Sequence, residues 1–172
     1  MKQRRLFTAL ICLSSSALTE PLDRRCVEHT SRIWGVPAEL LEAIHDVEAG
    51  KPGVKHRNSN GSVDLGTMQH NSRTAATLQK KYGVDPESLL WSECYAVYVS
   101  GWELASSAYQ HKDWKLAIAA YNAGDNAVLK AVKSYGGIPK DIRDLKLPKS
   151  TRDDYVPKVM DAWSRHENQG KP

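Results

Sequence analysis

The stretch from Leu40 to Gly50 sets the terms for the rest of the chain. Leu40, Leu41, Ile44 and Val47 recur at spacings of three and four, the pattern of a helix with one buried face. Gly50 is suited to end that helix. Glu48 therefore falls on its last turn, beside the apolar stripe. A helix C-terminus carries partial negative charge, and apolar neighbours disfavour an ionised carboxylate. Both effects push a pKa upward, towards the range in which a carboxyl group serves as a general acid at neutral pH. The loop that follows, residues 50 to 62, is rich in Lys, Gly, Asn and Ser. It is too polar to bury itself, so another segment must hold it.

The remaining signals are almost all helical. Helices are expected at residues 22–34, from Pro37 through Glu48, at 72–82, 86–110, 114–122, 125–135 and 151–166. Gly83, Gly124 and Gly136 punctuate them, and Pro157 sits in the first turns of the last, where proline is best tolerated. A short hairpin around residues 57–66 is the main strand signal, and 141–150 reads as irregular. The fold class is mainly α, in a single domain over residues 20–166, with a flexible tail at 167–172.

Met1 to about Thr19 reads as a secretory signal: Lys2, Arg4 and Arg5 precede a short apolar core, Leu6 to Leu18. That core is too short to span a bilayer. The chain carries +4, and its first nineteen residues hold those three bases and no acid, so the remainder is near +1. No basic stripe is left to argue for nucleic acid or for stable membrane insertion. About 150 residues remain, enough for one core. Cys26 and Cys94 also remain; in an exported chain an even count favours a disulfide over two buried thiols. The expected compartment is the periplasm.

Chemistry is then sought by elimination. The six histidines, His29, His45, His56, His70, His111 and His166, show no helical i, i+4 pair, and no cysteine pair has a zinc-finger spacing. No metal and no other cofactor is expected. His45 and His70 read as edge or surface residues near a cleft. There is no glycine-rich phosphate loop and no Gly-x-Ser-x-Gly elbow. Among carboxylates, Asp46 points to a different helix face from Glu48, and Glu42 reads as surface. Asp64 is either a second catalytic carboxylate or a turn residue that satisfies backbone N–H groups.

Three ordered segments carry a resemblance: Glu48-Ala49-Gly50, Gly66-Thr67-Met68-Gln69 and Ala120-Tyr121-Asn122-Ala123-Gly124. Together with Cys26, Cys94 and Tyr155-Val156, they resemble the lysozyme-like domain of the soluble lytic transglycosylases. The similarity is to the small members that accompany secretion, conjugation and pilus machines, and it covers roughly residues 25–165. The resemblance implies a lysozyme-like fold and cleavage of the peptidoglycan bond between N-acetylmuramic acid and N-acetylglucosamine, leaving 1,6-anhydro ends. It implies Glu48 as the single acid/base, Gly66 to Gln69 as the cleft floor, with Met68 near the carboxylate and Gln69 on the substrate. Tyr121 and Asn122 would form the opposite wall, and Tyr155 would aim its hydroxyl at Glu48. Read from residue type alone, Met68 and Tyr121 fit a core equally well. The implied partners are glycan strands and components of an envelope-spanning apparatus. Two departures stand out: Ala49 where the family has Ser, and Thr67 where it has Leu, which makes the expected floor more polar. The rival readings are a lysozyme-type hydrolase with Asp64 as base, and a non-catalytic glycan-binding subunit.

Overall fold

In the computed structural model, which describes residues 20–169, α1 (Arg24–Trp34) and α2 (Ala38–Glu48) open the fold. A small sheet follows, β1 (Lys55–Arg57), β2 (Val63–Leu65) and β3 (His70–Asn71), and then α3 (Ser72–Tyr82) and α4 (Pro86–Trp91). The long α5 (Glu93–His111) leads to α6 (Trp114–Ala123) and α7 (Asp125–Tyr135). A 3-10 turn (Ile142–Asp144), a wide π turn (Ser150–Tyr155) and α8 (Val156–Gln169) close it. The class is mainly α, as the periodicity implies. The expected signal, residues 1–19, lies outside the described residues. Within the stretch expected as a tail, α8 continues to Gln169.

The apolar stripe of α2 becomes the centre of the core. Leu40, Leu41, Ala43 and Ile44 are wholly buried there. Val156, Val159 and Ala162 of α8 belong to the same cluster, with Val97 and Leu104 of α5 and Leu116, Ile118 and Ala119 of α6. A second, smaller cluster joins Leu65 to Ala75, Leu78, Leu89, Leu90 and Val99, and so seats the sheet on α3, α4 and α5. The sheet is antiparallel in the order β1-β2-β3, pairing Lys55 with Leu65 and Leu65 with His70. Cys26 in α1 and Cys94 at the start of α5 meet at disulfide distance, with Cα atoms 5.0 Å apart.

Two boundaries differ from expectation. The helix expected over 86–110 is two helices, because Ser92 is extended (φ −104°, ψ 109°) and its hydroxyl accepts from the Tyr95 N–H. A serine at such a point offers the backbone an alternative to continuing the helix. α2 is ended by Ala49, in the left-handed region at φ 50°, and not by Gly50. Gly50 has a packing reason instead: a Cβ there would overlap the carbonyl oxygens of Gly66 and Thr67.

Candidate active site

Glu48 ends α2, and its carboxylate is held from the far end of the chain. The Tyr155 hydroxyl donates to Glu48 Oε1 at 2.6 Å. Tyr155 occupies the last position of the wide turn before α8. Burial and the charge of Glu48 push its phenol well above the usual range, so it stays a donor. Burial likewise raises Glu48 itself to about 7. The Tyr155 hydrogen bond and the charge of His70 pull it down, and the charge of Asp64 pushes it up. Enclosure outweighs the donor, so near neutrality Glu48 is poised between acid and base.

The 66–69 turn is pressed against α2 by the absence of a side chain at Gly50 and against the end of α4 by its absence at Gly66. Gly66 adopts φ 65°, and a Cβ would overlap the Leu89 carbonyl oxygen. Its close neighbour in the structure is therefore α4. Met68 is fully buried in the main core, and its carbonyl accepts from the Tyr121 hydroxyl at 2.8 Å. Thr67 is buried as well, with no protein partner for its hydroxyl. It packs inside the turn, so the polar floor expected from the Leu-to-Thr departure is not formed by this hydroxyl. Gln69 is half-buried at φ 52°, and its amide donates to the Gly66 carbonyl at 2.7 Å. Asn122 is exposed, and its Oδ1 accepts from the Thr151 hydroxyl at 2.7 Å. That bond joins the end of α6 to the turn that carries Tyr155.

Asp64 holds the sheet together. Its two oxygens accept from Asn58 Nδ2 and Asn71 Nδ2, each at 2.8 Å. The partners are side-chain amides and not the backbone N–H groups expected of a turn aspartate.

Histidines expected at the edge are inside. His45 is 4% exposed, and burial lowers its pKa. His70 is also 4% exposed and sits in a chain of polar groups behind the site. Its Nδ1 lies 3.0 Å from Glu103 Oε2, and its Nε2 lies 3.1 Å from both the Ala96 carbonyl and the Ser100 hydroxyl. Ser100 Oγ is 2.9 Å from the Tyr121 hydroxyl. Sequence reasoning placed His70 at the edge of a cleft and passed over Ser100 and Glu103. The available signal was weak: Ser100 and Glu103 are an i, i+3 polar pair on a helix with one buried face. Among the described residues, ligand atoms of Asp23, Cys26 and Cys94 cluster within 4.8 Å, but the two sulfurs face each other.

The family model described as the transglycosylase SLT domain matches residues 25–143. The invasion protein IagB of Salmonella typhimurium is 37% identical over 102 residues, which is 58% of this chain and 62% of IagB. The Salmonella typhi protein of the same name is 37% identical over 101 residues, with the same coverage. The chain thus spans less than two thirds of the length of these relatives. Among solved structures, an inactive mutant of lytic transglycosylase Slt from Pseudomonas aeruginosa superposes with a TM-score of 0.68 at 21% identity. That match covers 85% of this chain and 24% of Slt, and it is a likeness of fold.

Proposed function

From the chain's membership of the transglycosylase SLT domain family, we propose that it is a peptidoglycan lytic transglycosylase with Glu48 as its single acid/base. The observation that carries this reading is a carboxylate with a pKa of about 7, enclosed at a helix end and oriented by the Tyr155 hydroxyl.

In this mechanism protonated Glu48 donates to the oxygen between N-acetylmuramic acid and N-acetylglucosamine as that bond breaks. Positive charge develops at C1 of the muramic-acid ring. A retaining glycosidase would supply a second carboxylate as nucleophile, and an inverting one would use it to activate water. Asp64 is tied to Asn58 and Asn71 within the sheet, and in this reading the sugar's own N-acetyl group supplies the assistance. Ionised Glu48 then takes the proton of the C6 hydroxyl, which closes on C1 as a 1,6-anhydro ring. The proton balance closes on one residue, and a pKa near neutrality suits both directions of transfer. Tyr155 accompanies both states, donating to the carboxylate when it is charged. Tyr121, Asn122, Gln69 and the 66–69 backbone line the substrate side in this reading. Cys26 and Cys94 form a structural disulfide in an oxidising compartment, the periplasm, reached through the N-terminal signal. Among the described residues no helix is long and apolar enough to cross a membrane. In this reading the enzyme opens the wall locally for an envelope-spanning apparatus, and the similarity to a protein named as an invasion protein is in keeping with such a role.

The test is digestion of purified peptidoglycan by the wild type and by Glu48→Gln, with soluble fragments read by mass spectrometry. Anhydro-ended fragments are expected from the wild type and none from the variant. Reducing ends would move the reading to a hydrolase with Asp64 as base. Fragments from the variant would remove Glu48 from its role.

A further inference from the structure

With Glu103 as a carboxylate, the hydrogen-bond chain behind Tyr121 has one consistent assignment of its donors. The Ala96 carbonyl can only accept, so His70 Nε2, 3.1 Å away, must carry a hydrogen. The Glu103 carboxylate, 3.0 Å from Nδ1, demands a hydrogen on that nitrogen as well. The ring is then an imidazolium. Ser100 cannot donate to a protonated Nε2, so its hydroxyl hydrogen turns to the Tyr121 oxygen. Tyr121 in turn donates to the Met68 carbonyl. Every group is satisfied, and all hydrogens run one way. A neutral His70 with a bare Nε2 would set its lone pair against the Ala96 carbonyl. It would also draw the Ser100 hydrogen away from Tyr121.

We propose that His70 is a positioning residue charged at neutral pH, held protonated by Glu103, which fixes Tyr121 through Ser100 and places a positive charge behind Glu48. The proposal rests on Glu48 as the acid/base and adds what sets its working pH. The charged and titratable groups around this centre are Glu103 from α5, Tyr121 from α6, Glu48 from α2, Asp64 from β2 and Tyr155 from the turn before α8. Burial alone would discharge His70, but the hydrogen bond and charge of Glu103, with the Ala96 carbonyl and Glu48, raise its pKa overall. The positive charge acts back on Glu48 by favouring its ionised form. It therefore eases the second half of the proposed cycle, in which Glu48 must be a base. It also lowers the pH above which the acid form is lost.

The deciding measurement is made on the wild-type chain without substrate. Nitrogen-15 spectra of the histidine rings, followed from pH 5 to 9, should show both His70 ring nitrogens protonated at pH 7. One bare ring nitrogen at that pH overturns the proposal. In the same samples the carbon-13 signal of the Glu48 carboxyl should show two inflections, its own and one at the His70 titration. A single inflection means that the two groups do not communicate and also overturns it. Neither outcome depends on peptidoglycan cleavage, so they stand apart from the test of the acid/base itself. In turnover, His70→Gln should move the alkaline limb of the kcat profile up by about 0.5–1 pH unit, with KM little changed. A folded His70→Gln variant whose profile coincides with the wild type would contradict the role.

Discussion

A carboxyl group enclosed as Glu48 is costs the fold free energy whenever it is charged. Its folded pKa of about 7 stands above the 4.5 of an unperturbed glutamate. Between those values the unfolded chain has released the proton while the native state retains it, so stability falls as pH rises. The loss begins near pH 4.5 and is complete once pH exceeds about 7. Its size is roughly 1–3 kcal/mol, the shift converted at about 1.4 kcal/mol per unit and reduced for partial exposure. Glu48→Gln keeps an acceptor for Tyr155 and carries no charge. It should match the wild type in stability at pH 4.5 and exceed it by that margin at pH 8, as read by urea denaturation at the two pH values. An equal margin at both would mean that burial is not the source of the shift. At this scale the sequence was partly legible. Glu48 could be found because its position beside an apolar stripe is a local fact, and Tyr155 because a known motif pointed to it. His70, Ser100 and Glu103 could not be found by spacing alone, since their partnership requires β3 to lie against α5.

At the scale of elements, helix edges were legible wherever a residue terminates structure by its own chemistry. Asn71 and Asp85 cap α3 and α4 with their side chains, and Gly83 and Gly136 close α3 and α7 in the left-handed region. The break at Ser92 was hidden because the apolar pattern runs across it and the cap is a single hydroxyl. What ties these elements together is less local. The Asp23 N–H donates to Glu93 Oε1 at 2.7 Å, beside the Cys26–Cys94 pair. Two links thus pin the start of α1 to the start of α5. The cysteines are 68 residues apart in sequence. In the loop-entropy picture, closing a loop of that length stabilises by about 4 kcal/mol. Cys26→Ser/Cys94→Ser should therefore unfold at a lower denaturant concentration, by an amount worth about 2–4 kcal/mol. Its activity at 25 °C should survive, because neither sulfur reaches the site. Loss of activity in a variant still folded at that temperature would give the link a role beyond stability.

The family match ends at residue 143, yet the molecule does not. α8 lies outside that match and packs its buried Val156, Val159 and Ala162 into the cluster that holds Leu40, Leu41, Ala43 and Ile44 of α2. Its partly buried Met160 and Trp163 extend the same contact. His166 adds a polar clasp to α2, with Nε2 2.8 Å from Asp46 Oδ2 and Nδ1 3.5 Å from Glu42 Oε2. The helix that carries Glu48 is therefore covered by the helix that follows Tyr155, so one packing event builds the core and completes the site. A chain ending at Asp144 would lose Tyr155 and expose the most buried face in the fold. Each buried aliphatic side chain returned to water costs about 1.5–3 kcal/mol, so even a few of them rival a total stability of about 5–15 kcal/mol. Residues 20–144 alone should accordingly lack a cooperative thermal transition by circular dichroism, whereas residues 20–169 should show one. If the shorter chain melted cooperatively, α8 would be an accessory to a self-sufficient core. Adding the isolated segment 145–169 to it in trans would then show whether Tyr155 can still reach Glu48 and restore activity. If the shorter chain has no transition, as its exposed α2 face predicts, the folding unit is larger than the family match. The orientation of the acid is then inseparable from the closing of the fold.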